Sequence, residues 1–338
     1  MCFLCVKALR IFAVKNKSEQ ILCWLTFTSF SQFLRVYKRI IQFVFFANYF
    51  VGLLAVALSV ETVCQLGLPL NAIYYYLFLF FATVLYYTWA YTVPANIASS
   101  PNPRTEWYRR HHSFIKKSQL VIAIVCALLG IWQVKAALPG LADLPFYYWL
   151  LLFSIPVAGI LYYGLLPPSF LSINLRNTGW LKPFVIGYVW AGCVSLLPVV
   201  VHMTENGLLI NKTGLLIWLF VKNWMFCTVN AIMFDIKDYA DDANRELKTF
   251  AVRFGLNKTI SFVLIPLLLI GFVAFIIFAA YNNFGYLPVL INLVPFICLL
   301  MVAYSLHQPR EILYYLIIID GLLLIKALCG ILSTIVSK

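Results

Sequence analysis

The chain carries little charge. Only 11% of its 338 residues are Asp, Glu, Lys or Arg, where a soluble globular domain carries about a quarter. That scarcity excludes an ordinary soluble enzyme, a disordered chain and a nucleic-acid-binding domain, so no nucleic-acid partner is expected. Acidic residues are scarcer still: 12 Asp and Glu against 25 Lys and Arg give a formal charge of +13. No polar stretch is long enough to fold as a separate soluble domain, and no small-residue cleavage site of a secretory leader is evident. Cys2 and Cys5 form a lone C-x-x-C with no second pair, which argues against a zinc or redox centre. Most of the other cysteines sit in apolar stretches, where Cys acts as a small hydrophobe.

What the chain has is apolar sequence, 63% of it. Nine apolar runs, at 41–60, 72–93, 118–137, 146–166, 181–201, 214–234, 259–280, 287–305 and 312–336, are each long enough to cross a hydrocarbon core of about 30 Å. They lack β-type alternation, so they read as helices rather than strands of a barrel. The expected fold is all-α, a polytopic membrane domain of nine transmembrane helices over 35–338. Residues 1–34 form a tail, read as an interfacial helix on anionic lipid or as a segment of no consequence.

Basic residues mark alternate loops. Lys38 and Arg39 precede the first span. Arg104, Arg109, Arg110, Lys116 and Lys117 follow the second, Arg176 the fourth, Lys237, Lys248 and Arg253 the sixth, and Arg310 the eighth. The intervening loops hold little beyond Glu61, Asp143, Glu205 and Lys212 on this layout. The positive-inside rule then puts the N-terminus inside and the C-terminus outside, in the plasma membrane.

Five of the twelve acidic residues crowd behind the sixth span: Asp235, Asp238, Asp241, Asp242 and Glu246. If the helix continues, Asp235, Asp238 and Asp242 share one face, lying within about 60° of one another at about 100° per residue. Three like charges on one face repel. Two readings offset that repulsion. One is a solvated helix end neutralised by Lys237, Arg245 and Lys248. The other is a divalent cation with oxygen ligands, shared with a substrate phosphate.

These residues also carry a family resemblance. Asp235-Ile-Lys-Asp238-Tyr-Ala-Asp241-Asp242, with Lys248-Thr249-Phe250-Ala251-Val252-Arg253-Phe254-Gly255 behind it, resembles the second aspartate-rich motif of the UbiA-type intramembrane prenyltransferases and the tail that follows it. Leu161-Tyr162-Tyr163-Gly164, Asn174-Leu175-Arg176 and Trp180-Leu181-Lys182-Pro183 resemble that family's basic loop between helices 4 and 5. The resemblance implies a bundle around a central cavity. It also implies transfer of a prenyl group from a prenyl diphosphate to a lipophilic, often aromatic, acceptor. Mg²⁺ on Asp235, Asp238 and Asp242 would act at the diphosphate, with Arg176, Lys182, Arg109 and Lys248 as its cationic partners. Asn96, Asn223, Tyr162 and Asp320 are candidate cavity residues.

The sequence departs from that family at its first aspartate motif. The matching region, Tyr91 to Glu106, contains no Asp. Arg104, Arg109 and Arg110 stand there instead, available to hold an anion directly or to serve as ordinary positive-inside charge. The departure leaves open a relative with altered chemistry, or a non-catalytic protein that binds an isoprenoid lipid. Lys222, Asp320 and Lys326 fall within apolar spans, where ionisable groups are costly. Lys222 and Asp320 are expected to pair across helices, or one of them to face a wet cavity.

Overall fold

The computed structural model describes residues 36–89, 91–92, 102–163, 179–207, 212–244, 247–308 and 310–337. The expected tail over 1–34 lies outside them. Two units are distinguished: Met1–Ala47, with a helix over 36–46, and Asn48–Lys338. The second unit carries the apolar helices and the acidic motif.

The described residues of this unit are helical, with no strand among them. Seven helices are long and apolar enough to span a membrane. They are α1 (Tyr49–Leu66), α4 (His112–Leu141), α6 (Lys182–Asn206), α7 (Thr213–Lys237), α10 (Leu256–Tyr281), α11 (Tyr286–Ser305) and α12 (Ile312–Val336). Two shorter apolar helices, α2 (Ile73–Trp89) and α5 (Phe146–Tyr163), fall where two further spans are expected. Short helices α3 (Pro103–Arg110), α8 (Tyr239–Asn244) and α9 (Phe250–Phe254) occupy the polar connections. Helices satisfy their own backbone groups, which a lipid environment demands.

Local chemistry sets the ends. Asn102 caps α3 by accepting from the Arg104 amide, with Pro103 at the first helical position. Thr249 caps α9 by accepting from the Val252 amide. Asn48 takes a left-handed conformation (φ 64°) immediately before α1. The first span therefore starts at Tyr49 and ends at Leu66, not at 60, and Glu61 lies inside it rather than in a loop. Inside α6 and α10, Pro198 and Pro266 each follow a π-turn, at Gly192–Leu196 and Ile260–Leu264. A proline offers no N–H to the preceding turn, and the wider turn accommodates its ring.

Each helix packs on chain neighbours: α1 on α2, α2 on α4, α4 on α6, α6 on α7, α7 on α10, α10 on α11 and α11 on α12. The series returns to its start where α12 packs on α1. The buried face joins Leu54 and Leu58 of α1 to Phe226 and Ile232 of α7, Phe296 of α11 and Leu323 of α12. On the outer faces, Ile131, Phe262 and Met301 are each about two-thirds exposed or more. Large apolar side chains in those positions suit contact with lipid, where close van der Waals fit rather than water exclusion holds helices together.

Candidate functional site

Helices α6 and α7 run antiparallel, and their approach is unusually close at Gly187. A Cβ there would stand 2.3 Å from Thr228 Oγ1 and 2.9 Å from the Trp224 carbonyl oxygen, so only glycine fits. That contact brings the start of α6 against the end of α7. There Lys182 Nζ donates to Asp235 Oδ1 at 2.6 Å, and both side chains are largely buried. The second carboxylate oxygen, Asp235 Oδ2, is buried with no hydrogen-bond partner among the described residues.

The helix does not continue through the acidic cluster. It stops at Lys237, and Asp238 closes it as the C-cap. After that turn α8 begins, carrying Asp242. Asp242 is buried, and its carboxylate lies within electrostatic reach of both Asp235 and Lys182. Asp238 is partly exposed and accepts from its neighbour Lys237 at 2.6 Å. The break in the helix thus replaces a three-carboxylate helical face with two buried carboxylates around Lys182 and a third at the rim.

The motif tail is held against this end of α6. Gly179 packs directly on the backbone of Lys248 and Thr249, which leaves the Lys248 side chain exposed beside it. Tyr162, at the end of α5, lies within electrostatic reach of Lys182 and also lines an apolar cavity of about 530 Å³. The cavity runs between α2, α5 and α6, with Phe78, Tyr86, Tyr87 and Trp190 among its walls. Trp190 Nε1 donates to Tyr87 Oη at 2.5 Å, fixing two of these rings. The cavity wall is apolar and aromatic, and the charged group around Lys182 lies beyond Tyr162 on that wall. Such a layout suits an apolar chain bearing an anionic head.

Mg²⁺ is usually held by one or two carboxylates, with water and substrate phosphate completing its shell. Asp235 Oδ2 and the adjacent Asp242 carboxylate fit that requirement. Among the described residues, no group of three or more His, Cys, Asp or Glu stands close enough to cage a metal unaided. The donor set therefore suits an ion shared with a phosphate and not an all-protein site.

Where the family's first acidic motif is expected, a buried cation stands instead. Arg104 donates to Asn48 Oδ1 at 2.5 Å and lies 4.5 Å over the Tyr91 ring. Asn48 Nδ2 in turn donates to Thr88 Oγ1 (3.0 Å) and Tyr108 Oη (3.3 Å). Burial raises the Tyr108 phenol above its usual range. Asp320 of α12 faces this group: it is buried, feels the Arg104 charge and is hydrogen-bonded by Asn230. Arg109 is exposed and pairs with Glu106, as does Arg110 at 2.7 Å. Hydrogen bonding from Arg110, with Arg109 beside it, holds the Glu106 carboxyl below the ordinary carboxylate range. Arg176 and Asn96 lie outside the described residues.

The expected pairing of Lys222 with Asp320 is not made. Lys222 Nζ instead lies 3.2 Å from Glu61 Oε1, and Lys326 Nζ donates to Glu61 Oε2 at 2.6 Å. Asn223 belongs to this cluster, accepting from Lys326 and donating to Ser195 Oγ at 2.8 Å. The sequence hides this partner because the first helix runs past its apolar stretch to Leu66, where left-handed Gly67 (φ 71°) caps it, which carries Glu61 into the membrane segment. Asp320 keeps its place as a buried polar residue with Asn230 and Arg104 as neighbours.

The geometry describes a helical membrane protein in which a cradle of one largely buried lysine and two buried carboxylates lies near Tyr162, a wall residue of an apolar cavity. The family model described as the UbiA prenyltransferase family matches residues 112–312, more than half of the chain. The protein belongs to that family, and membership implies a membrane prenyltransferase-type function. Its members generally use Mg²⁺ in binding a prenyl diphosphate. The matched region contains the cradle, and it starts after the stretch in which the first motif is missing. No curated protein and no solved structure matches the chain.

Proposed function

We propose that the protein transfers a prenyl group from a prenyl diphosphate to a lipophilic, aromatic acceptor within the bilayer. The observation that carries this reading is the buried Lys182–Asp235 pair, with its open carboxylate oxygen, beside the aromatic-lined cavity. Asp235 and Asp242, with Asp238 at the rim, would hold Mg²⁺ together with the diphosphate. The ion would supply charge neutralisation as pyrophosphate leaves. Lys182 stabilises the same leaving group from the α6 side, and Lys248, Arg176 and Arg109 provide further positive charge for it. Tyr162 marks the passage from head to tail. The ring faces of Tyr86, Tyr87 and Trp190 offer negative electrostatic potential to an allylic cation. On this reading the two shorter apolar helices also span, giving nine, with the cradle on the cytoplasmic side of the plasma membrane.

The absence of an acidic first motif favours a second reading, in which the chain binds an isoprenoid lipid without turning it over. Product analysis separates the two. Purified full-length protein is incubated with labelled prenyl diphosphates and a membrane lipid extract, with and without Mg²⁺. Transfer predicts a prenylated lipid and released pyrophosphate only when Mg²⁺ is present. Intact diphosphate recovered from protein-bound label under every condition would select the non-catalytic reading.

A further inference from the structure

A second group of ionisable side chains meets in the interior of the bundle, apart from the Asp235 cradle. Glu61, Lys222 and Lys326 are 1%, 6% and 2% exposed. Counted from Tyr49, Lys237 and Ile312, the helix ends nearest the basic loops, they lie about 18, 22 and 21 Å along α1, α7 and α12. In a hydrocarbon core of about 30 Å this is well inside the membrane. Glu61 Oε2 accepts from Lys326, while Glu61 Oε1 faces Lys222 and accepts from Gln65 Nε2 at 3.2 Å. Lys222 also reaches Gln65 Oε1, at 3.5 Å. Gly330 of α12 makes room for the carboxylate, since a Cβ there would stand 2.3 Å from Glu61 Oε1.

The charges do not balance. One carboxylate faces two lysines, so two ammonium groups would leave a net charge of +1 in surroundings that solvate it poorly. Among the described residues, the other groups facing the cluster do not supply a second anion. From α7 come Asn223 and Cys227, from α6 Ser195, from α12 Cys329, and from α11 Cys298 beside Cys329. These are an amide, a hydroxyl and thiols. Asp320, six residues before Lys326, faces Arg104 and is balanced there.

We propose that Glu61, Lys222 and Lys326 form an intramembrane proton-binding site that holds one ammonium, not two, at neutral pH. The second lysine is a neutral amine, which takes up a proton from solution to become an ammonium and releases it again. Because both lysines touch the same carboxylate, the proton belongs to the pair and not to one nitrogen. The amine keeps a lone pair in the membrane interior, so the cluster is an acid–base group independent of prenyl transfer.

Solid-state NMR of full-length protein labelled with ¹⁵N at the lysine side chains, in lipid bilayers, tests this. The wild type should show one amine nitrogen per chain at neutral pH, converting to ammonium as the pH is lowered. Lys222→Met and Lys326→Met should each abolish the amine signal, because the lysine that remains is balanced by Glu61. Ammonium signals alone in the wild type at neutral pH would overturn the proposal, as would an amine signal that survives both substitutions. Ammonium signals that shift on addition of a lipophilic carboxylate, with no amine present, would assign the balance to a bound anion and overturn it equally. If neither variant folds, the wild-type pH series still decides.

Discussion

Asp235→Asn is expected to lower Mg²⁺-dependent prenyl transfer by about two to three orders of magnitude, the scale on which loss of a buried electrostatic contact at a reacting centre is felt. The substitution keeps the shape of the side chain and removes its charge. Of the two carboxylate oxygens, one is the partner of Lys182 Nζ at 2.6 Å and the other is buried and open toward a ligand. The amide keeps one oxygen, uncharged, and puts an NH2 donor in place of the other. Both the cation-holding carboxylate and the group that orients Lys182 are weakened together. Asp242→Asn should follow, because that carboxylate is buried beside the same lysine. Asp238→Asn should cost less, since Asp238 is partly exposed and pairs with adjacent Lys237. Initial rates of product formation, with circular dichroism to establish that helix content is unchanged, check the order. Equal rates in Asp235→Asn and the wild type would remove Asp235 from the site.

Glu61→Gln should produce the largest loss of stability of any single change in the bundle interior. Breaking a buried ion pair by removing one partner typically costs about 3–5 kcal/mol, because a charge is left without compensation. Here the removed carboxylate serves two lysines on two helices. Lys222→Met should cost much less than Glu61→Gln, since it leaves the Glu61–Lys326 pair intact. Resistance to unfolding by denaturant in lipid nanodiscs, followed across pH, measures both. A Glu61→Gln protein as stable as the wild type at acidic pH would show that the cluster does not hold α1, α7 and α12 together.

The apolar runs make the helices legible, because about 20 apolar residues have few alternatives in a membrane. The ninth run coincides with α12 at 312–336 and the eighth with α11 to within one residue. The first run misplaces its helix, because a single left-handed residue, Asn48, resets the start and no pattern of hydropathy records that. Glu61 falls in a loop on the hydropathy layout because the helix runs on to its Gly67 cap, and its partners lie 161 and 265 positions further along the chain. The candidate site is legible in its residue types. Asp235, Asp242, Lys182 and Tyr162 stand out as charged or aromatic groups at helix ends. Their assembly is not, because it depends on Gly187 allowing α6 and α7 to touch, a contact between residues about 40 positions apart. In the sequence Arg104 is one of a run of surface cations. Its burial against Asn48, Tyr91 and Tyr108 depends on three separate elements meeting.

Equilibrium binding of a labelled prenyl diphosphate to the purified protein, with Mg²⁺ and then with excess chelator, tests the central claim most directly. The cradle of Asp235, Asp242 and Lys182 predicts saturable binding that the chelator abolishes, and that Asp235→Asn loses even when Mg²⁺ is present. Binding of equal strength with and without the chelator, unchanged in Asp235→Asn, would contradict a metal–diphosphate role for the acidic motif.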